Sequence, residues 1–183
     1  MRIDSHHHLW DLSVRDQEWI VGDEMQTIRR SYAISDLKDA IKSSRIDRTV
    51  LVQTVTDYSE TPELLAIAQS EHLVGAVVGW LQIDAPDAIA RLHQYLDLPG
   101  AEYLKGIRDI AQDHPDPNYL AKPQTIANVK KLGELGITFD LLTKTPELAA
   151  AIKLVRACPD VQFVMDHISK PYIAKKEFEP WRT

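Results

Sequence analysis

The sequence predicts an α/β protein of the (β/α)8 barrel type, with about six of the eight βα units present. Three observations carry that expectation. Short, nearly uninterrupted apolar runs alternate with helical patterns at intervals of roughly 25 to 45 residues, the rhythm of parallel strands buried on both faces. No Gly-rich phosphate loop follows any run, which weakens the case for an open, nucleotide-binding doubly wound sheet. Several runs instead close on residues able to hydrogen-bond: His6 and His8, Gln53, Trp80, Arg108, Asp140 and His167. In a barrel those C-terminal strand ends form the catalytic face.

Taken in order, the opening RIDSHHHLWD reads as the first strand. Alternation places Asp4, His6 and His8 on one face and Ile3, Ser5 and His7 on the other. A long segment, Asp11–Ala33, follows, marked by the aromatics Trp10 and Trp19 and placed to fold over the barrel mouth. Ser35 precedes DLKDAIKSSRI, where Leu37, Ala40 and Ile41 keep helical spacing. TVLVQT (Thr49–Thr54) is the second strand, and TPELLAIAQ the next helix, with Thr61 as N-cap and Pro62 at its first position. LVGAVVGWLQI (Leu73–Ile83) and LKGIRDI (Leu104–Ile110) are the third and fourth strands, with APDAIARLHQYL as a helix between them. KPQTIANVKKLGEL places Ile126, Val129 and Leu132 on one face of a helix leading to GITFDLL (Gly136–Leu142). TPELAAAIKLV repeats the capping pattern with Thr145, Pro146 and Glu147, an acidic first turn that suits the helix dipole. VQFVMDH (Val161–His167) is the sixth strand. Residues 1–183 therefore read as a single barrel domain, C-terminally incomplete against an eight-unit barrel of about 250 residues.

Bulk properties exclude several classes. A hydrophobic content of 44% with 26% charged residues is globular. The formal charge of −6 argues against nucleic-acid binding. The single cysteine, Cys158, fits a reducing compartment and has no base near it in sequence. Neither a signal peptide nor a membrane-length apolar run is visible. A soluble, cytoplasmic protein with a small-molecule substrate and no nucleotide cofactor is the expectation. The two unpaired edges of a six-stranded barrel favour pairing with another copy, a homo-oligomer.

The histidine triplet decides the chemistry. As a strand it presents two imidazoles with an acidic residue behind them, a frequent way to offer two ligands to one metal; as a tag remnant or solvated terminus it would do nothing. His167, at a strand end, is either a functional residue or a buried histidine satisfied by its neighbours. Arg108 is either a bidentate clamp for a carboxylate or part of a structural ion pair. Asp140 is either a polar contact or a core partner of Arg108. Gln53 and Trp80 are placed to line a site, Trp80 by stacking on a ring or else by packing in the core. Asp166, one residue before His167, is expected to face the helical layer, and His72, His93 and His114 the surface.

IDSHHHLWD, LKGIRDI and FVMDHISKP together resemble the amidohydrolase-related barrel family, in the branch of the fuconolactonases, rhamnonolactonases and pyrone-dicarboxylate lactonases. The resemblance runs from Ile3 to about Trp181. It implies a hydrolase that opens a small, sugar-derived lactone by water attack on the ester carbonyl. His6, His8, His167 and Arg108 would be its catalytic residues, with His7 variable between the first two. Gln53, Trp80, Arg108 and Asp140 would contact substrate. His6 and His8 would hold one divalent ion, zinc or manganese, although members of the branch differ in needing one. The family places its proton-accepting aspartate on an eighth strand, which this sequence does not supply. Two alternatives therefore stand beside the lactonase: a metal-dependent hydrolase or decarboxylase of a carboxylated ring, and a truncated, catalytically silent partial barrel.

Overall fold

Each apolar run becomes one strand of a single parallel sheet. The computed structural model describes residues 1–183. Its strands are β1 (Ile3–His7), β2 (Arg48–Val52), β3 (Val74–Trp80), β4 (Leu104–Ile110), β5 (Thr138–Leu142) and β6 (Phe163–Met165). They pair in the order β1-β2-β3-β4-β5-β6, every pair parallel. Sequential order without a reversal separates this curled sheet from a doubly wound one, whose order reverses at a switch point. The result is six strands of a (β/α)8-type barrel, with β1 and β6 at the two edges.

Five helices, α1 (Ile34–Ile41), α2 (Glu60–Ser70), α3 (Ala88–Leu96), α4 (Pro123–Glu134) and α5 (Leu148–Ala157), join successive strands. The core lies between these helices and the outer face of the sheet. There Leu51, Val77, Ile107 and Phe139, all fully buried, pack with Leu65, Leu92, Leu132 and Leu154 from the helices. Gly79 shows how tightly the layers meet: a Cβ there would lie 2.6 Å from Thr61 Cγ2. Gly106 plays the same part on the inner face, where a Cβ would lie 2.5 Å from Thr138 Oγ1.

β4 matches its run, whereas β5 starts two residues later than its run, and β2, β3 and β6 end before theirs because the last residues turn into loops. Capping also differs from expectation. Thr61 lies inside α2, and its hydroxyl accepts the Trp80 amide at 2.9 Å. Ser35 lies inside α1, whose first turn is closed by Asp36 accepting the Ala33 amide at 2.8 Å. Thr145 opens a short 3₁₀ turn before α5, where Glu147 accepts the Lys144 amide at 2.9 Å. In each case a neighbouring carboxylate or a tertiary contact displaces the expected threonine or serine cap. No helix is long and apolar enough to cross a membrane.

Candidate functional site

The histidine triplet is structural, not a solvated tail. His6 and His7 end β1, and His8 follows directly. His7 is buried against β2, its Nε2 2.9 Å from Thr49 Oγ1. His6 and His8 turn the other way and bring their Nε2 atoms to 3.2 Å from each other. Asp4 does not join them; its carboxylate accepts the His6 amide at 3.2 Å.

Hydrogen bonding fixes the His8 tautomer. Its Nδ1 lies 2.8 Å from the Val52 carbonyl oxygen, which can only accept, so the proton sits on Nδ1 and Nε2 keeps its lone pair. Burial is the main reason that His6 and His8 are each pulled down from 6.5 to about 4, and both rings are neutral at physiological pH. The Asp166 carboxylate, whose Oδ1 lies 3.7 Å from His6 Nδ1, opposes that shift at His6. The His167 ring centroid lies 4.8 Å from that of His6, and its pKa is also lowered, first by burial.

Asp166 corrects the sequence reading. Rather than facing the helical layer, it is 3% exposed and accepts from Arg108 Nη1 at 2.8 Å. Register explains the difference. Phe163 packs with Phe139 in the core, so alternation turns Val164 and Asp166 to the inner face that Asp140 shares. The left-handed conformations at His167, Ile168, Ser169 and Lys170 then bring His167 to the same side. Buried Ser169 is tied to Thr143 at the end of β5 by a 2.8 Å hydroxyl contact, which holds the turn.

Arg108 therefore pairs with Asp166, not with Asp140 or the surroundings of Asp109. Its Nη2 also donates to the Gln53 carbonyl and, at 3.2 Å, to Gln53 Oε1. The guanidinium is thus engaged by protein groups, and fully buried Gln53 serves as its anchor. Asp109 faces elsewhere, accepting from the Trp80 indole at 2.9 Å, from the Ile83 amide at 2.8 Å and from the Tyr119 hydroxyl. Trp80 is accordingly buried, packed on Tyr58 with centroids 4.6 Å apart, and not grouped with the histidines. Asp140 lies beside Arg108 in the β4–β5 register. Burial, reinforced by the Asp166 charge, pushes its carboxyl up to about 7.

A divalent ion fits this arrangement. Two nitrogens bound to one tetrahedral zinc lie about 3.4 Å apart, close to the 3.2 Å between His6 and His8. His6, Asp166 and His167 also offer ligand atoms within 4.8 Å of one another. Neutral imidazoles beside a buried carboxylate are the donor set that zinc favours. Asp166, which the sequence reading set aside, is the added member; its place one residue before a candidate ligand was the only hint. A separate cleft of about 620 Å³ lies between residues 9–34 and α2. Its carboxylates are already occupied, Glu63 by Arg15 and Glu60 by Thr54 and Val55, and it holds none of these groups.

Comparison with known proteins bears on the family and the fold. The chain is 31% identical over 180 residues to L-fucono-1,5-lactonase of Burkholderia ambifaria, covering 98% of this chain and 61% of that protein. It superposes on an amidohydrolase of Burkholderia multivorans crystallised with bound zinc at a TM-score of 0.88 and 27% identity, covering 100% of this chain and 63% of that one. A probable 2-pyrone-4,6-dicarboxylic acid hydrolase of Acinetobacter baumannii, with citric acid bound, shares the fold at a TM-score of 0.67 and 15% identity, over 93% of this chain and 59% of that one. The chain spans about three fifths of the length of these relatives. With residues 3–183 matching the family model described as Amidohydrolase, this chain belongs to the amidohydrolase family.

Proposed function

We propose that the chain carries the histidine and carboxylate machinery of a hydrolase that opens a small, sugar-derived lactone. One observation carries the reading: neutral His6 and His8 converge at 3.2 Å at the end of the first strand, beside Asp166 and His167. The relative named as an L-fucono-1,5-lactonase supports the lactone, and the zinc-bound neighbour supports a divalent ion, zinc or manganese. His6, His8, Asp166 and His167 would hold that ion, which when bound acidifies water and polarises a carbonyl. In the reaction the water oxygen bonds to the lactone carbonyl carbon, the ring C–O bond breaks, and the ring oxygen takes a proton. The proton that the water gives up passes to that leaving ring oxygen, with His167 engaged as a ligand beside His6 and Asp166. Arg108 holds Asp166 in place, and Gln53 holds Arg108.

A carboxylated ring is supported less well. The arginine that would clamp its carboxylate is already engaged by Asp166 and Gln53. A pH-indicator assay on a panel of aldonolactones, with the protein supplied with zinc or manganese, tests the reading. Acid release that His8→Ala abolishes is expected. Carbon dioxide release from carboxylated rings without lactone opening would replace lactonase by decarboxylase, and no turnover of either class would leave a silent partial barrel.

A further inference from the structure

Resting on the lactonase reading, a second site can be assigned at the same end of the strands as the histidines. A cleft of about 400 Å³ opens at the C-terminal end of the strands, between the segment after β1 and the loop Thr54–Asp57 after β2, and is closed by Ile110 at the end of β4. It adjoins the candidate centre along the chain. Thr54 follows Gln53, Ile110 lies two residues beyond Arg108, and Trp10, which meets the cleft's one aromatic, Trp19, lies two residues beyond His8.

Trp19 is exposed, at 39%, yet it is locked. Its indole N–H donates at 2.8 Å to Oε1 of Gln17, a side chain only 1% exposed. Trp10 meets it edge-on with centroids 5.7 Å apart, and Trp10 is itself fixed by donating to the Arg30 carbonyl at 2.7 Å. An indole whose polar atom is satisfied from within, and whose remaining surface faces a cleft, is a preorganised stacking platform.

The charges of the cleft choose the ligand. Arg15 is taken up by Asp57 and Glu63, and Asp16 is held by Arg29. The Glu18 carboxylate and the Thr56 hydroxyl make no hydrogen bond within the protein, which leaves one acceptor group and one hydroxyl at the rim and no available cation. A carboxylated ring meets net negative charge there, with Arg15 already paired, whereas ring hydroxyls meet acceptors and an aromatic face.

We propose that Trp19 is the platform on which a neutral, polyhydroxylated ring stacks, with Glu18 and Thr56 receiving its hydroxyls. The test is binding of gluconolactam, a hydroxylated ring that resists hydrolysis, compared with unsubstituted δ-valerolactam, by tryptophan quenching and calorimetry. Trp19→Ala should weaken gluconolactam binding about tenfold, the usual scale of one aromatic contact. Trp19→Phe should restore most of that loss, and δ-valerolactam should change less than about threefold. Equal losses for both lactams, unaltered gluconolactam binding in Trp19→Ala, no gluconolactam binding by the wild type, or tighter binding of isophthalate would each overturn the assignment. Gluconolactam binding that needs Trp19, in a protein that turns over no lactone, would leave the platform standing and overturn the lactonase reading alone.

Discussion

Asp140→Asn should make the protein more stable, and increasingly so as pH rises. Asp140 is 4% exposed, and its carboxyl is pushed from 3.8 to about 7, chiefly by burial and secondly by the charge of Asp166. In the unfolded chain the same group ionises near its ordinary value. Between those two pH values the folded state holds a proton that the unfolded state has lost, so stability falls as pH rises through that window and levels off above it. One unit is worth about 1.4 kcal/mol, so the full shift corresponds to about 4 kcal/mol, of which about 2.5 kcal/mol develops between pH 5 and pH 8. Asparagine has the same shape, carries no charge and keeps an oxygen for the Thr138 hydroxyl, which donates to Asp140 Oδ1 at 3.4 Å. Its new amide hydrogens need partners, which offsets roughly 1 kcal/mol at every pH. The difference between variant and wild type in urea unfolding, followed by circular dichroism with chelator present, should therefore grow by about 2–3 kcal/mol from pH 5 to pH 8. Groups common to both proteins, His6 and His8 among them, cancel in that difference. A difference that stays constant with pH would refute the reasoning, because Asp140 would then titrate alike in both states.

Zinc content by mass spectrometry should fall at least tenfold in His8→Ala and His167→Ala and stay unchanged in His72→Ala, which alters an exposed histidine far from the centre. Because His6 and His8 titrate at about 4, protons compete with zinc only near that value. Zinc occupancy should accordingly hold down to about pH 5.5, and half-loss near pH 6.5, the ordinary histidine value, would contradict the burial argument. Arg108→Met removes the partner of a buried carboxylate and should cost about 3–5 kcal/mol in urea unfolding, with partial recovery in the Arg108→Met/Asp166→Leu double variant. Equal losses in the single and double variants would mean that the pair is not coupled.

What could be read in the sequence follows from how local each cause is. The inner strands were legible because a strand buried on both faces is rich in apolar residues, β1 because its residues alternate, and the strand order because short βα connections leave little choice. The His6–His8 pair was legible because alternation alone puts the two rings together. The caps were not, since the Ala33 amide is taken by Asp36 and the Thr61 hydroxyl by a strand amide far along the chain. Trp80 was placed correctly at a strand end, but its direction is set by Asp109 and Tyr58, neither of which its own neighbourhood reveals.

Asp166 and His167 exchanged faces in the sequence reading because the direction of His167 is the least accessible to local reasoning. It depends on a backbone that no propensity favours: His167, Ile168, Ser169 and Lys170 hold φ values of 50°, 50°, 55° and 46° without a glycine among them. A non-glycine residue in the left-handed region costs on the order of 1–2 kcal/mol, and a β-branched one such as Ile168 is rarer still. Four in succession persist only where other contacts over-determine the turn. Here those contacts are the buried Arg108–Asp166 pair, the Ser169–Thr143 bond and the Lys170 ammonium donating to Gln112. Each of them reaches back to β4, to β5 or to the residues that follow them. The strain is therefore held by the same sheet that carries Arg108 and Asp140, and it brings His167 beside His6, on the side that Asp166 already faces by alternation. A straight continuation of β6 would point the two side chains to opposite faces and break up the one arrangement in which a divalent ion fits.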